Sequence, residues 1–136
     1  TFLNGTVEMS VPAGFQESLP PPETGERKFL HAADKVAVRC AGSPRAQSER
    51  DFLGISEELI TTFRSDPDYT VHEAGPVTRK GRLWYHYIAT YKGGRMQAYT
   101  TRTPADQVFM LQVSGKEGNP RIQETVEQIL DSVSIR

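Results

Sequence analysis

The middle third of the chain most constrains the fold, because it is dense in strand-forming residues separated by very short breaks. Four segments rich in aromatic and β-branched residues are candidate strands: Tyr69 to Ala74, Leu83 to Tyr91, Arg95 to Thr103, and Gln107 to Val113. Lys92-Gly93-Gly94 supplies residues that adopt positive φ, which predicts a tight hairpin between the second and third. Consecutive strands with short links predict an antiparallel meander.

Two amphipathic helices flank this region. Ser48 is typical of a helix N-cap with Asp51 three residues later, and Ser65-Asp66-Pro67 predicts where that helix ends. Its apolar stripe is formed by Phe52, Ile55, Leu59, Ile60 and Phe63. Asn119-Pro120 predicts the start of the second helix. The second stripe is formed by Ile122, Val126, Ile129, Leu130 and Val133.

The N-terminal third predicts shorter strands. Thr6 to Val11 alternates with period two and is followed by a turn at Pro12 to Gly14. Leu19 to Gly25 contains three consecutive prolines and predicts a stiff extended loop. Lys28 to Ala32 and Lys35 to Cys40 are further strand candidates.

These elements predict an α+β fold in which an antiparallel sheet of about six or seven strands carries two main amphipathic helices. The 136 residues are sufficient for one core of ordinary size, and no repeat or linker divides them. We therefore expect a single domain covering residues 1–136.

Charge and termini limit the partner and the compartment. Sixteen Lys and Arg against seventeen Asp and Glu give a net charge of -1, which argues against nucleic acid as a partner. No apolar run is long enough to cross a membrane. The chain begins at Thr1 and not at Met, which is compatible with a removed signal peptide or a lipid-anchored cysteine upstream. These features leave the compartment open; the periplasmic location that we expect, with the cytoplasm as the alternative, is implied only by a family resemblance.

Candidate chemistry is sparse. Cys40 is the only cysteine, and its apolar neighbours indicate a small buried side chain. The histidines, His31, His72 and His86, are scattered and lack metal-ligand spacing. We expect no cofactor, no metal and no catalytic residue. The alternative, an enzyme using Cys40 or a histidine, requires Cys40 in an accessible cleft near one of these rings.

Aromatic residues concentrate in one hairpin, where strand alternation separates Trp84 from Tyr85 and Tyr87. One interpretation places one set in the core and the other beneath a helix. The other is an exposed binding patch, since Trp, Tyr and Arg contribute strongly to interfaces. Candidate loops are Lys80 to Arg82, Lys92 to Gly94 and Ser114 to Asn119. The predicted partner-binding residues are Arg82, Trp84, Tyr85, Tyr87, Lys116 and Glu117.

Short phrases and the order of elements resemble the DcrB-like and PsbP-like proteins, which share the Mog1p/PsbP-like fold. The phrases are Val11-Pro12-Ala13-Gly14-Phe15, Arg64-Ser65-Asp66-Pro67, the Lys80-Gly81 turn, and Leu130-Asp131-Ser132-Val133. The resemblance covers essentially the whole chain and includes no catalytic signature.

This resemblance implies a non-catalytic protein-binding module of the bacterial envelope. The most specific expectation is an immunity protein that inhibits a toxic type VI secretion effector. The alternatives are a chaperone or adaptor for a secretion effector, which would expose an apolar sheet face, and an envelope lipoprotein with an assembly function. The partner would be a protein, and the domain a monomer or a homodimer.

Overall fold

The computed structural model describes residues 7–18 and 26–135. The strands are β1 (Val7–Glu8), β2 (Gln16–Glu17), β3 (Arg27–His31), β4 (Val36–Arg45), β5 (Tyr69–Arg79), β6 (Arg82–Tyr91), β7 (Gly94–Arg102), β8 (Gln107–Lys116) and β9 (Ser134–Ile135). The helices are α1 (Glu49–Ser65) and α2 (Arg121–Ser132). Neither helix is long and apolar enough to cross a bilayer, within this described part of the chain.

The predicted meander is confirmed. Strands β5, β6, β7 and β8 pair in sequence, each antiparallel to the next. Two hairpin turns contain a Lys-Gly pair at positive φ: Lys80 and Gly81 at 51° and 76°, and Lys92 and Gly93 at 47° and 81°. Two consecutive positive φ values give the turn the same twist as its strands, which explains the tight connections.

The sheet has seven strands in the order β2-β3-β4-β8-β7-β6-β5, so the expectation of six or seven is confirmed. The crossover that brings β4 beside β8 was not predicted, because it joins segments distant in sequence. Strand β5 runs past Ala74 through Pro76 to Arg79. A proline is tolerated there because β5 is an edge strand with one unpaired side.

Helices α1 and α2 lie on opposite faces of the sheet. Trp84 belongs to the core beneath α2, whereas its neighbour Tyr85 belongs to the core beneath α1. The core on the α2 side is largely aliphatic and includes Val36, Val38, Phe109, Leu111, Val113, Ile122, Val126, Ile129 and Leu130. The core on the α1 side includes Ala46, Phe52, Ile60, Tyr85, Tyr87, Ala89, Ala98 and Val108.

The helix boundaries follow the predicted signals. Ser48 caps α1, its Oγ accepting a hydrogen bond from the Asp51 N–H at 3.1 Å. Asn119 Oδ1 accepts from the Arg121 N–H at 3.0 Å, so Asn119 caps α2 as expected, one residue before Pro120. Arg79 fixes α2 over the sheet through ion pairs of 2.9 Å to Glu127 and 2.9 Å to Asp131.

The N-terminal strand is shorter than predicted. Within the predicted Thr6 to Val11, only Val7–Glu8 is a strand, and it pairs with β9 outside the main sheet. Thr6 and the predicted loop Leu19 to Gly25 lie outside the described residues. Strand β4 extends to Arg45, beyond the predicted end at Cys40, because β8 pairs along its length.

Candidate protein-binding surface

The three predicted aromatic residues are core residues. Trp84 is only 4% exposed beneath α2, and Tyr85 and Tyr87 are 2% exposed beneath α1. These three side chains therefore form no exposed aromatic patch. The structure agrees with the other interpretation, in which the aromatic residues of this hairpin belong to the core. The physical reason is that β6 is an interior strand with a helix on each face, so both sets of alternating side chains are covered.

The other predicted residues separate into two locations. Arg82 lies at one end of β6, half-buried, and its Nη1 donates to the Arg102 carbonyl at 3.1 Å. Lys116 and Glu117 are exposed near the other end, where the Glu117 N–H donates to the Gly93 carbonyl at 2.9 Å. The strand rise of about 3.3 Å per residue separates these ends by roughly 30 Å. The six predicted residues therefore do not form one continuous site.

Arg82 lines a polar cavity of about 350 Å³ beside the start of α1. Lys80 and Arg102 also line it. Arg102 is paired with Asp106 at 2.7 Å, and Lys80 lies 3.8 Å from Asp131. Carboxylates of the chain already neutralise much of this cationic rim.

A surface that the sequence did not indicate lies along the side of α1. We call it the α1 groove, a cavity of about 240 Å³. It is lined by Ile55, Ser56, Leu59, Tyr85, Tyr87, Thr100, Val108 and Met110. Burial raises the pKa of Tyr85 and of Tyr87, so both phenols stay neutral at physiological pH. The groove is therefore apolar and uncharged.

The groove exists because α1 is rotated relative to its own apolar stripe. The helix buries Ser56, whose Oγ donates to the Phe52 carbonyl at 3.0 Å, while Leu59 remains 37% exposed. If α1 were oriented only to bury as much apolar surface as possible, Leu59 would face the sheet and Ser56 would face the solvent. The sequence feature that could have indicated the groove is Ser56, a polar residue within the apolar stripe of α1. Sequence periodicity does not show which side of the helix the sheet leaves uncovered.

Beside the groove, the same face of the sheet continues past α1 onto β8, β4 and β3. We call this region the open shelf; it carries Lys28, Leu30, Arg39 and Gln112, which register places on one face. Arg39 Nε lies 2.8 Å from Glu26 Oε1, and Gln112 Nε2 donates to the Tyr87 hydroxyl at 3.2 Å. Leu30 is 48% exposed among these polar groups.

The geometry that a Cys40 nucleophile requires is not formed. Cys40 is fully buried, with its Sγ 3.6 Å from Met9 Sδ, and burial raises the pKa of its thiol to about 12. A thiol of this kind is protonated at neutral pH and inert. His86 Nδ1 lies 3.1 Å from the Gly75 carbonyl, and His72 Nε2 lies 3.1 Å from Thr90 Oγ1. Among the described residues, no group of three or more metal-ligating side chains is suitably placed.

Seven antiparallel strands with a helix on each face form the Mog1/PsbP-like fold, as two solved structures show. CyanoP, the cyanobacterial PsbP of Synechocystis sp. PCC 6803, superposes with a TM-score of 0.69 at 13% identity, covering 98% of this chain and 88% of that one. The Ran-binding protein Mog1p of Saccharomyces cerevisiae superposes with a TM-score of 0.65 at 8% identity, covering 97% and 91%.

Identities this low establish a shared fold, which confirms the predicted PsbP-like architecture. No family model matches the chain, and no curated protein matches it in sequence.

Proposed function

We propose that this domain is a non-catalytic protein-binding module that holds an apolar side chain of its partner in the α1 groove. The observation that carries the proposal is the exposure of Leu59 on a helix that buries Ser56. Such an arrangement gives up apolar burial within the chain and leaves an apolar rim for a partner to cover. Mog1p is a Ran-binding protein, which supports a protein partner for this fold.

The dimensions of the groove suit a single anchoring residue. A cavity of about 240 Å³ accommodates one large aliphatic or aromatic side chain, and interface hot spots are side chains of this kind in desolvated pockets. The open shelf borders the groove on one side with hydrogen-bonding groups, which is the usual composition of an interface rim.

Within this class we propose that the partner is a toxic secreted effector, that binding inhibits it, and that the domain acts in the periplasm. The sequence resemblance to DcrB-like and PsbP-like proteins supports this finer assignment. An inhibitor needs a rigid surface, and the groove is built from helix and strand residues.

The open shelf favours an inhibitor over an effector chaperone. A chaperone for an apolar helix would need a long apolar face, whereas the shelf presents Lys28 and Arg39 beside Leu30. On this face of the sheet the groove is apolar, and with a volume of about 240 Å³ it is too small for a helix. A chaperone would therefore need a second copy to complete its binding face.

Site-specific photo-crosslinking tests where a partner binds. A photoreactive residue at Leu59 should form a discrete adduct with one partner in cells of the natural source. The same residue at Thr61, exposed on α1 away from the groove, is the matched control. Adducts of equal yield at both positions, or none at Leu59, contradict the assignment. An adduct with a second copy of this chain identifies a homodimer and supports the chaperone alternative.

Substitution then measures what the groove contributes to affinity. Leu59→Ser should weaken binding of the captured partner at least about tenfold, which is the loss of one hot-spot contact. Thr61→Ser should leave the affinity unchanged. Glu117→Ala tests the predicted loop in the same assay, and a tenfold loss there with none at Leu59 would place the interface on the loop. Trp84 is not a suitable probe, since truncating a buried tryptophan destabilises the fold.

A further inference from the structure

On the opposite side of the sheet, a buried side-chain amide without a protein partner lines a second cavity. This β7–α2 cavity has a volume of about 240 Å³ and lies between Arg95 and Gln97 of β7, the loop residues Gly118 to Pro120, and the first turn of α2. Gln97 is only 3% exposed, and its Nε2 has no hydrogen-bond partner among the described residues. Buried donors are nearly always paired, so this one calls for an explanation.

No acceptor side chain lies opposite Gln97 on the neighbouring strands. Its cross-strand neighbours are Ile88 on β6 and Val113 on β8, and Ile122 lines the same cavity. A leucine would fill this position without leaving a donor unpaired.

The amide side chains of Asn119 and Gln123 line the same cavity, and each already makes a hydrogen bond, Asn119 with the Arg121 N–H and Gln123 with Glu127. Gln97 Nε2 is itself buried in the free protein, so a ligand in the cavity reaches this donor only after rotation about the terminal torsion of Gln97.

The electrostatics of the cavity favour an anion. Arg95 places a guanidinium there, and it forms no ion pair with any described residue. The first turn of α2, a helix of twelve residues, adds the positive end of its dipole. Gly118, at a φ of 90°, turns the loop back so that the helix start faces β7.

The acidic side chains of α2 are already engaged. Glu124 lies 3.1 Å from Arg121 Nη1, and Glu127 lies 2.9 Å from Arg79 Nη2. Glu127 also accepts a hydrogen bond from the Gln123 side chain at 3.1 Å. These pairings leave Arg95 and Gln97 available to a ligand from outside the chain.

We propose that the β7–α2 cavity binds a carboxylate group, with Arg95 as the cation and the Gln97 amide as the buried donor. A carboxylate has a single charge and two acceptor oxygens, which matches one guanidinium and one neutral donor. A phosphate dianion would call for more positive charge than this cavity supplies. The carboxylate belongs either to a peptide chain terminus or to a small organic acid, and the two sources share this chemistry.

Nuclear magnetic resonance titration of the side-chain amide of Gln97 tests the proposal. N-acetylglycine, which mimics a chain terminus, and acetate should each shift this signal saturably, with a dissociation constant in the roughly millimolar range. Tighter binding of N-acetylglycine indicates a peptide terminus, and equal binding indicates a small acid. N-acetylglycinamide, which lacks the charge, should cause no saturable shift.

Two variants and one matched control assign the contacts. Arg95→Gln should weaken binding at least about tenfold, whereas the control Lys116→Gln, an exposed cation on the adjacent loop, should change it less than about twofold. Gln97→Leu lacks the side-chain reporter, so its titration is followed at the backbone amide of Gly118, which lines the same cavity. This variant should lose the saturable carboxylate response without a lower melting temperature, because it removes an unpaired donor.

Three results would overturn this assignment. One is the absence of a saturable shift with either carboxylate, which would mean that solvent serves the Gln97 donor. Another is equal or tighter binding of inorganic phosphate. The third is a lowered melting temperature in Gln97→Leu, which would show that the amide is already hydrogen-bonded in the free protein.

Discussion

The two faces of the sheet are formed by the same strands, but their cores differ in composition and in how fully a helix covers them. Beneath α2, β-branched residues such as Val38 and Val113 meet Ile129 in a continuous aliphatic core. Beneath α1, Tyr85 and Tyr87 meet a helix whose flank is left open along the α1 groove. From this comparison we expect the α2 side to contribute more of the stability, and the α1 side carries the groove proposed to bind a partner.

The difference arises from side-chain size and helix position. Short β-branched side chains let α2 approach the centre of the sheet, and Arg79 fixes it there through two carboxylates. The tyrosine rings under α1 are long, and the Tyr87 hydroxyl accepts a hydrogen bond from Gln112 beside the helix.

The largest expected effect is a difference in the free energy of unfolding between two alanine variants, one on each side of the sheet. Ile129→Ala should lower the free energy of unfolding by about 2–5 kcal/mol, because it creates a cavity in a fully buried site. Leu59→Ala should cost less than about 1 kcal/mol, since Leu59 is partly exposed and alanine favours the helix. Urea denaturation measures both. Equal costs would show that Leu59 is covered in the folded protein as fully as Ile129, which contradicts an open groove beside α1.

An intermediate effect concerns alkaline pH. The thiol of Cys40, on the α2 side, has a pKa of about 12 when folded against a reference of 9.0. Above pH 9 the Cys40 thiol ionises in the unfolded chain but stays protonated in the folded protein. The free energy of unfolding therefore falls as the pH rises from about 9 to 12, by about 1.4 kcal/mol between pH 8 and pH 10. Cys40→Val should lack this component of the pH dependence.

Tyr87→Phe is the matched control for the alkaline experiment. Its phenol lies on the α1 side, and burial raises its pKa from a reference of 10.0. Unfolded tyrosine is only half ionised at pH 10, so this variant should lose at most about 0.4 kcal/mol of the fall between pH 8 and pH 10, much less than Cys40→Val loses. Equal slopes in wild type and Cys40→Val would mean that water reaches the thiol in the folded protein.

The smallest expected effect is at a hairpin tip that belongs to neither side. Lys92 adopts a φ of 47°, a conformation that asparagine tolerates better than lysine. Lys92→Asn relieves this strain but removes the contacts of Lys92 Nζ with the Tyr91 ring, 5.2 Å from its centroid, and with Asp68 at 3.8 Å. The free energy of unfolding should therefore rise by no more than about 0.5 kcal/mol, measured by urea denaturation, and partner affinity should stay unchanged. A change in affinity would place this tip in the interface.

Local sequence predicted much of the fold but little of the candidate site. The Lys92-Gly93 turn and the Ser48 cap each depend on a few neighbouring residues, and both are confirmed. The predicted partner-binding aromatics, Trp84 among them, lie in the core, because alternation identifies two faces of a strand without showing what covers them. Lys116 and Glu117 are exposed as expected, and their role in binding stays a prediction.

The sequence by itself determined the strand meander, the two helices and their ends, because turn conformation, capping and periodicity act over a few residues. Only the tertiary structure decided that β4 pairs with β8, that the helices take opposite faces, and that Leu59 stays exposed while Gln97 is buried. These outcomes depend on contacts between segments far apart in the chain, where the balance of burial, side-chain size and hydrogen bonding is set by the whole core.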